Sequence, residues 1–175
     1  MKTWRMRTRP DNTPSEPMTA AQVAARMLEN TDVMFWLEPD QGTGQFAADV
    51  AEVRDELLGS PSTVARVWFE RDGMSRHGWV WEVVDHVCDH DPERAVVVIR
   101  ALVAEAKDDD ELAVIGAGPL ESLLRQQGPQ AIALVEAAAA EDPRFRFALA
   151  GVWPSERNAE VWKRWAVALG DQKRY

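Results

Sequence analysis

Between residues 19 and 169 the apolar side chains recur every three or four positions, and Gly, Pro or Asp-Pro pairs cut that rhythm into short runs. Each run can place one apolar stripe on a helix, and a helix that short is stable only when its stripe packs against a neighbour's. Thr19 can cap a helix over residues 19–30, with Ala20, Val23, Ala24, Met27 and Leu28 on one face. The patch at 33–37 reads as a further short helix and 39–44 as a loop. Phe46, Val50, Val53 and Leu57 keep helical spacing, Gly59 stands where a C-terminal cap belongs, and Ser60-Pro61 restarts the chain. Val64, Val67 and Trp68 give the next face, ending near Gly73; a lone strand over 64–69 is the alternative, but it lacks a strand partner.

The second half is more regular. Val80, Val83, Val84 and Val87 form a stripe, and Asp91-Pro92 supplies an N-cap followed by a first helical residue. Ala95, Val98, Ile99, Leu102, Val103 and Ala106 then share a side. Their β-branched content favours strands, but the length, the proline start and the spacing favour helix. The acidic run 108–111 opens a brief helix through Leu112 and Ile115. Gly116, Gly118 and Pro119 read as a tight hinge before Leu120, Leu123 and Leu124, and Gly128-Pro129 as the break before Ile132, Val135 and Ala139. Asp142-Pro143 repeats the capping device ahead of Phe145 and Leu149; Ser155 caps a last helix bearing Trp162, Trp165, Ala166 and Leu169 before Gly170. Pro92 and Pro129 start apolar helices 129 − 92 = 37 residues apart, near the helix-pair period of α-solenoids. The expected fold is all-α, a compact bundle or short HEAT-like stack of antiparallel helices.

Charge narrows the partners. The net charge is −9, while Lys2, Arg5, Arg7 and Arg9 sit in the first ten residues without an acid. The remainder therefore carries −9 − 4 = −13, which repels nucleic acid and anionic membranes and attracts a basic protein. Pro10, Pro14 and Pro17 mark residues 1–17 as a flexible arm before a single helical domain at 18–175. One cysteine, Cys88, excludes an internal disulfide and suits a reducing compartment. No apolar run approaches the roughly 18 residues of a membrane span, and no apolar stretch follows the basic start as in a secretory signal. A cytoplasmic monomer or homodimer is the expectation.

Few residues suggest chemistry. His86 and His90 are four apart and share a helical face, but Cys88 points elsewhere and His77 is the sole further histidine. A zinc site needs three or four convergent ligands, so a polar helix end is the simpler reading and no metal is expected. The amides after Gly116 could meet an anion, but Glu121 already brings negative charge there and no phosphate-loop Lys follows. Ser122 lacks a nucleophile-elbow setting. Eight tryptophans exceed the usual complement; most should wedge between helices, leaving one or two as interface anchors.

The strings WVWEVVDHVCDHDPERAVVVIRALV, GAGPLESLL and AAEDPRFRFALAGVW carry an aromatic helix, a Pro-Glu-x-Ala helix start, a Gly-Pro-Leu-Glu hinge and an Asp-Pro-x-Phe-Arg segment ending in Gly-x-Trp. Over about residues 77–165 they resemble an uncharacterised bacterial domain-of-unknown-function family. The resemblance implies a compact helical fold in a bacterial cytoplasm and carries no catalytic assignment or cofactor. Within it Glu121, Arg144, Arg146 and Trp153 are the first candidate ligand or partner residues, with Trp79 and Trp81 beside them. Arg146 is expected to bridge to Glu121. The functional expectation is a non-catalytic protein-interaction module, an immunity- or antitoxin-like acidic partner. The alternative is a small enzyme or ligand-binding protein with a pocket near Glu121, Arg146 and Trp153.

Overall fold

The computed structural model describes residues 4–7, 16–29, 36–39, 45–46, 50–69, 78–155 and 157–172. Among the described residues the protein is all-α apart from one small sheet, and the chain forms two compact units, Met1–Val83 and Val84–Tyr175.

In the first unit, strands β1 (Trp4–Arg7), β2 (Trp36–Pro39) and β3 (Gln45–Phe46) form an antiparallel sheet in the order β1-β2-β3. Trp4 aligns with Pro39, and Trp36 lies between Arg7 and Phe46. Trp4 also exchanges backbone hydrogen bonds with Met18, at 2.8 and 2.7 Å, and its side chain is buried. Part of the expected N-terminal arm is thus built into the sheet. Helix α1 (Ala20–Glu29) starts in a reciprocal capping box: the Gln22 N–H donates to Thr19 Oγ1 at 3.2 Å, and the Thr19 N–H donates to Gln22 Oε1 at 2.8 Å. Val23, Ala24 and Met27 are buried, and α1 packs against α2 (Ala51–Leu58).

Two expected helices differ. Residues 36–37 of the patch at 33–37 belong to β2, and 33–35 lie outside the described residues. Phe46 pairs with Trp36 across the sheet, so α2 begins only after Val50; the spacing of Phe46 to Val50 matched a helical repeat by coincidence. The loop expected at 39–44 falls outside the described residues apart from Pro39, which ends β2. Helix α3 (Pro61–Phe69) buries Val64, Val67 and Trp68, which removes the strand alternative. Helix α4 (Gly78–His90) begins in this unit with Trp79, Val80 and Val83 buried.

The second unit holds the rest of α4, with Val84, Val87 and Cys88 buried. Helix α5 (Pro92–Glu105) opens on the Asp91 side chain, which accepts the Arg94 N–H at 3.0 Å. Helix α6 (Asp109–Ile115) opens on Asp108, which accepts the Glu111 N–H at 2.9 Å. No hinge follows. Gly116–Leu120 is a π-helical turn that runs directly into α7 (Glu121–Glu141), and Gly116 has ordinary right-handed dihedrals, φ −61° and ψ −55°. Gly116 is needed for space instead: a Cβ there would collide with the Ala148 carbonyl oxygen and come within 2.9 Å of Gly151 Cα. A Cβ on Gly151 would in turn meet Ala113 O at 2.5 Å, so the two glycines let the backbones touch.

The break expected at Gly128-Pro129 is a kink within α7, where Gln127 leaves helical dihedrals (φ −118°, ψ 18°). Helix α8 (Pro143–Ala148) is capped by Asp142, which accepts the Arg144 N–H at 2.8 Å, and a 3₁₀ turn, Leu149–Gly151, follows. Helix α9 (Ala159–Leu169) starts from Asn158 in the left-handed region (φ 57°) without a side-chain cap, so Ser155 is not its cap. Its Trp162, Trp165 and Leu169 are buried while Ala166 is exposed. Helix α7 packs against α5, α8 and α9, and α6 packs on α8. No described helix is long and apolar enough to cross a membrane.

Candidate functional site

Trp153 follows the glycine contact by two residues. The 3₁₀ turn ends at Gly151, Val152 is buried in extended conformation, and Trp153 emerges with 67% of its surface exposed. The Trp153 backbone N–H donates to Glu121 Oε2 at 2.9 Å, and Glu121 Oε1 pairs with Arg125 one turn further along α7, also at 2.9 Å. Glu121 is itself mostly covered, with its side chain 15% exposed. The close approach of Gly116 to Gly151 brings the start of α7 beneath the segment that carries the indole. An exposed tryptophan on a fixed backbone has little freedom to lose on contact with another protein.

Arg146 does not reach Glu121. Its Nε and Nη2 both donate to the Ala139 carbonyl oxygen, at 3.1 and 2.9 Å, near the C-terminal end of α7. Carbonyls in the last turn of a helix lack intrahelical donors, and a guanidinium satisfies one of them well. Arg146 also lines a cleft of about 580 Å³ with Glu136, Ala140, Val167, Leu169 and Asp171. Glu121 and Trp153, expected to share a pocket with Arg146, are not among the residues that line this cleft. Sequence reasoning missed Glu136 and Arg164. The Arg164 guanidinium grips the Glu136 carboxylate through two hydrogen bonds, at 2.8 and 2.5 Å, and this donation holds Glu136 below the ordinary carboxylate range. The contact joins residues 28 apart in the chain, which no local pattern signals.

Arg144 serves the fold. Its guanidinium donates to the carbonyl oxygen of Ala106, the residue that caps the C-terminus of α5. Trp79 is buried and its indole N–H meets no acceptor among the described residues; Trp81 is half-buried, with its ring centroid 4.8 Å from that of Trp68. Trp79 thus belongs to the core of the first unit, and Trp81 packs half-covered beside Trp68. Trp162 and Trp165 are likewise buried, their indoles donating to the backbone oxygens of Arg157 and Leu149.

His86 and His90 do share a face of α4, with their rings stacked at a centroid distance of 4.3 Å. His90 Nδ1 lies 2.9 Å from the His86 carbonyl oxygen, the usual partner for a side chain at a helix end. Among the described residues no group of three or more His, Cys, Asp or Glu could hold a metal ion, and His77 lies outside them. Cys88 is buried, and burial, helped by the charges of Asp85 and Asp89, pushes its thiol far above the ordinary range. A thiol so placed is a poor nucleophile.

Neither a curated protein nor a solved structure matches the chain. The model of a family described as "Family of unknown function (DUF6869)" matches residues 70–171, more than half of the 175, and the chain belongs to that family.

Proposed function

We propose that this member of the family is a non-catalytic protein-interaction module, an immunity- or antitoxin-like acidic partner that covers a basic protein surface. The observation that carries the reading is Trp153, a large indole left 67% exposed while its backbone is held by the Glu121 carboxylate. Tryptophan is among the residues that most often dominate binding energy at protein interfaces. The net charge of −9 supports the sign of the partner, since opposite charge speeds diffusional encounter. Glu105, Asp109 and Asp110 add exposed carboxylates around the start of α6. The reading places the protein in a bacterial cytoplasm, which its lone, buried cysteine suits.

The test begins with the products of adjacent genes, purified and titrated with this protein by calorimetry at several salt concentrations. One basic product is expected to bind with a 1:1 stoichiometry, and affinity is expected to fall as salt rises. Absence of binding to every neighbouring product, or an affinity indifferent to salt, contradicts the proposal.

A further inference from the structure

The cleft between the end of α7, α8 and the end of α9 holds two charges, Arg146 and Asp171, that have no ionic partner among the described residues. Its volume, about 580 Å³, lies within the range of small-molecule sites. Of its four charged or polar lining groups, Glu136 is already committed to Arg164. Arg146 spends Nε and Nη2 on the Ala139 carbonyl, and among the described residues no carboxylate lies within ion-pair distance of it. Its Nη1 donors remain for a ligand. Asp171 follows Gly170, whose positive φ of 64° turns the chain at the end of α9, and it too has no ionic partner among the described residues. The C-terminal end of α9 adds partial negative charge beside Asp171. The same cleft is lined by the apolar side chains of Ala140, Val167 and Leu169, of which Val167 is 81% exposed.

We propose that this cleft binds a free α-amino acid with an apolar side chain, its carboxylate on Arg146, its ammonium on Asp171 and its side chain against Val167 and Ala140. A simple anion would face Asp171 and the helix end, and a simple cation would face Arg146. A zwitterion satisfies both, and a planar guanidinium suits a carboxylate. The inference stands apart from the Trp153 surface and does not depend on it.

Calorimetric titration of the whole protein with leucine tests it, alongside 4-methylpentanoate, which lacks the ammonium, and isoamylamine, which lacks the carboxylate. Leucine is expected to bind saturably, and each analogue about tenfold or more weaker, the effect of losing a hydrogen bond to a charged group. Arg146→Met should bind leucine no better than isoamylamine, and Asp171→Asn no better than 4-methylpentanoate. Asp171 is exposed, so its variant keeps the comparison valid even where loss of the Arg146–Ala139 contact impairs folding. The proposal is overturned if valine, leucine, isoleucine, methionine and phenylalanine all fail to saturate the folded protein by about 10 mM. It is equally overturned if Asp171→Asn binds leucine as the unaltered chain does.

Discussion

The Glu121 carboxylate holds the Trp153 backbone with one oxygen and Arg125 with the other, so it both satisfies an amide and fixes a side chain. Replacing Glu121 with Ala leaves that amide without its acceptor and should cost about 1 kcal/mol in chemical denaturation. Two other carboxylates make opposite statements about pH. Asp85 is raised above its ordinary value of 3.8, first by burial and then by the Asp89 charge. The folded state therefore holds the Asp85 proton more tightly than the unfolded state, and its contribution is lost as pH rises above 3.8. Asp85→Asn should consequently raise the melting temperature at pH 7, with the gain vanishing below pH 3.8. Glu136 is lowered from 4.5 by the hydrogen bond from Arg164, so its contribution is complete above that value and is lost as pH falls through the lowered one. Glu136→Gln should destabilise at pH 7, and the difference from the unaltered protein should close in acid; a gap that persists at pH 2 would contradict this assignment.

At the scale of helices, what was readable in the chain is what is local. The Asp91-Pro92 and Asp142-Pro143 starts both form as their residue types dictate, each aspartate accepting a backbone N–H from its own first turn. Replacing either aspartate by Ala should cost about 1 kcal/mol, measured by urea denaturation. The glycine run at Gly116 misled because glycine has two uses. It can supply a left-handed turn, or it can supply absence of a side chain; here only the second operates, and it depends on Ala148 and Gly151, more than 30 residues away. Gly116→Ala should therefore lower stability by about 3 kcal/mol, because the obstacle is backbone that cannot rotate aside. A variant as stable as the parent would contradict the close approach. The sheet was missed for a similar reason: β1 and β2 are each four residues long, and their register rests on pairing between segments some 30 positions apart.

At the scale of the molecule, the apolar periodicity was enough to define an all-α protein, since each stripe needs a neighbour whichever neighbour it finds. Which side chains meet between elements distant in the chain was not legible. Glu121 and Trp153 stood out in the motif, yet their contact with each other, rather than with Arg146, follows from where the 3₁₀ turn packs on α6 and the π-helical turn that leads into α7. Arg146 instead found a helix-end carbonyl, a partner present at every helix terminus and so invisible in a residue pattern. The central functional claim is that Trp153 anchors a protein partner from a backbone that Glu121 holds in place. A double-mutant cycle on partner affinity tests it most directly, using Trp153→Ala, Glu121→Ala and the pair. The expected result is a loss of about thirtyfold or more for Trp153→Ala with its melting temperature unchanged, a smaller loss for Glu121→Ala, and no further loss in the pair. Trp153→Ala binding the partner as tightly as the unaltered protein would contradict the account.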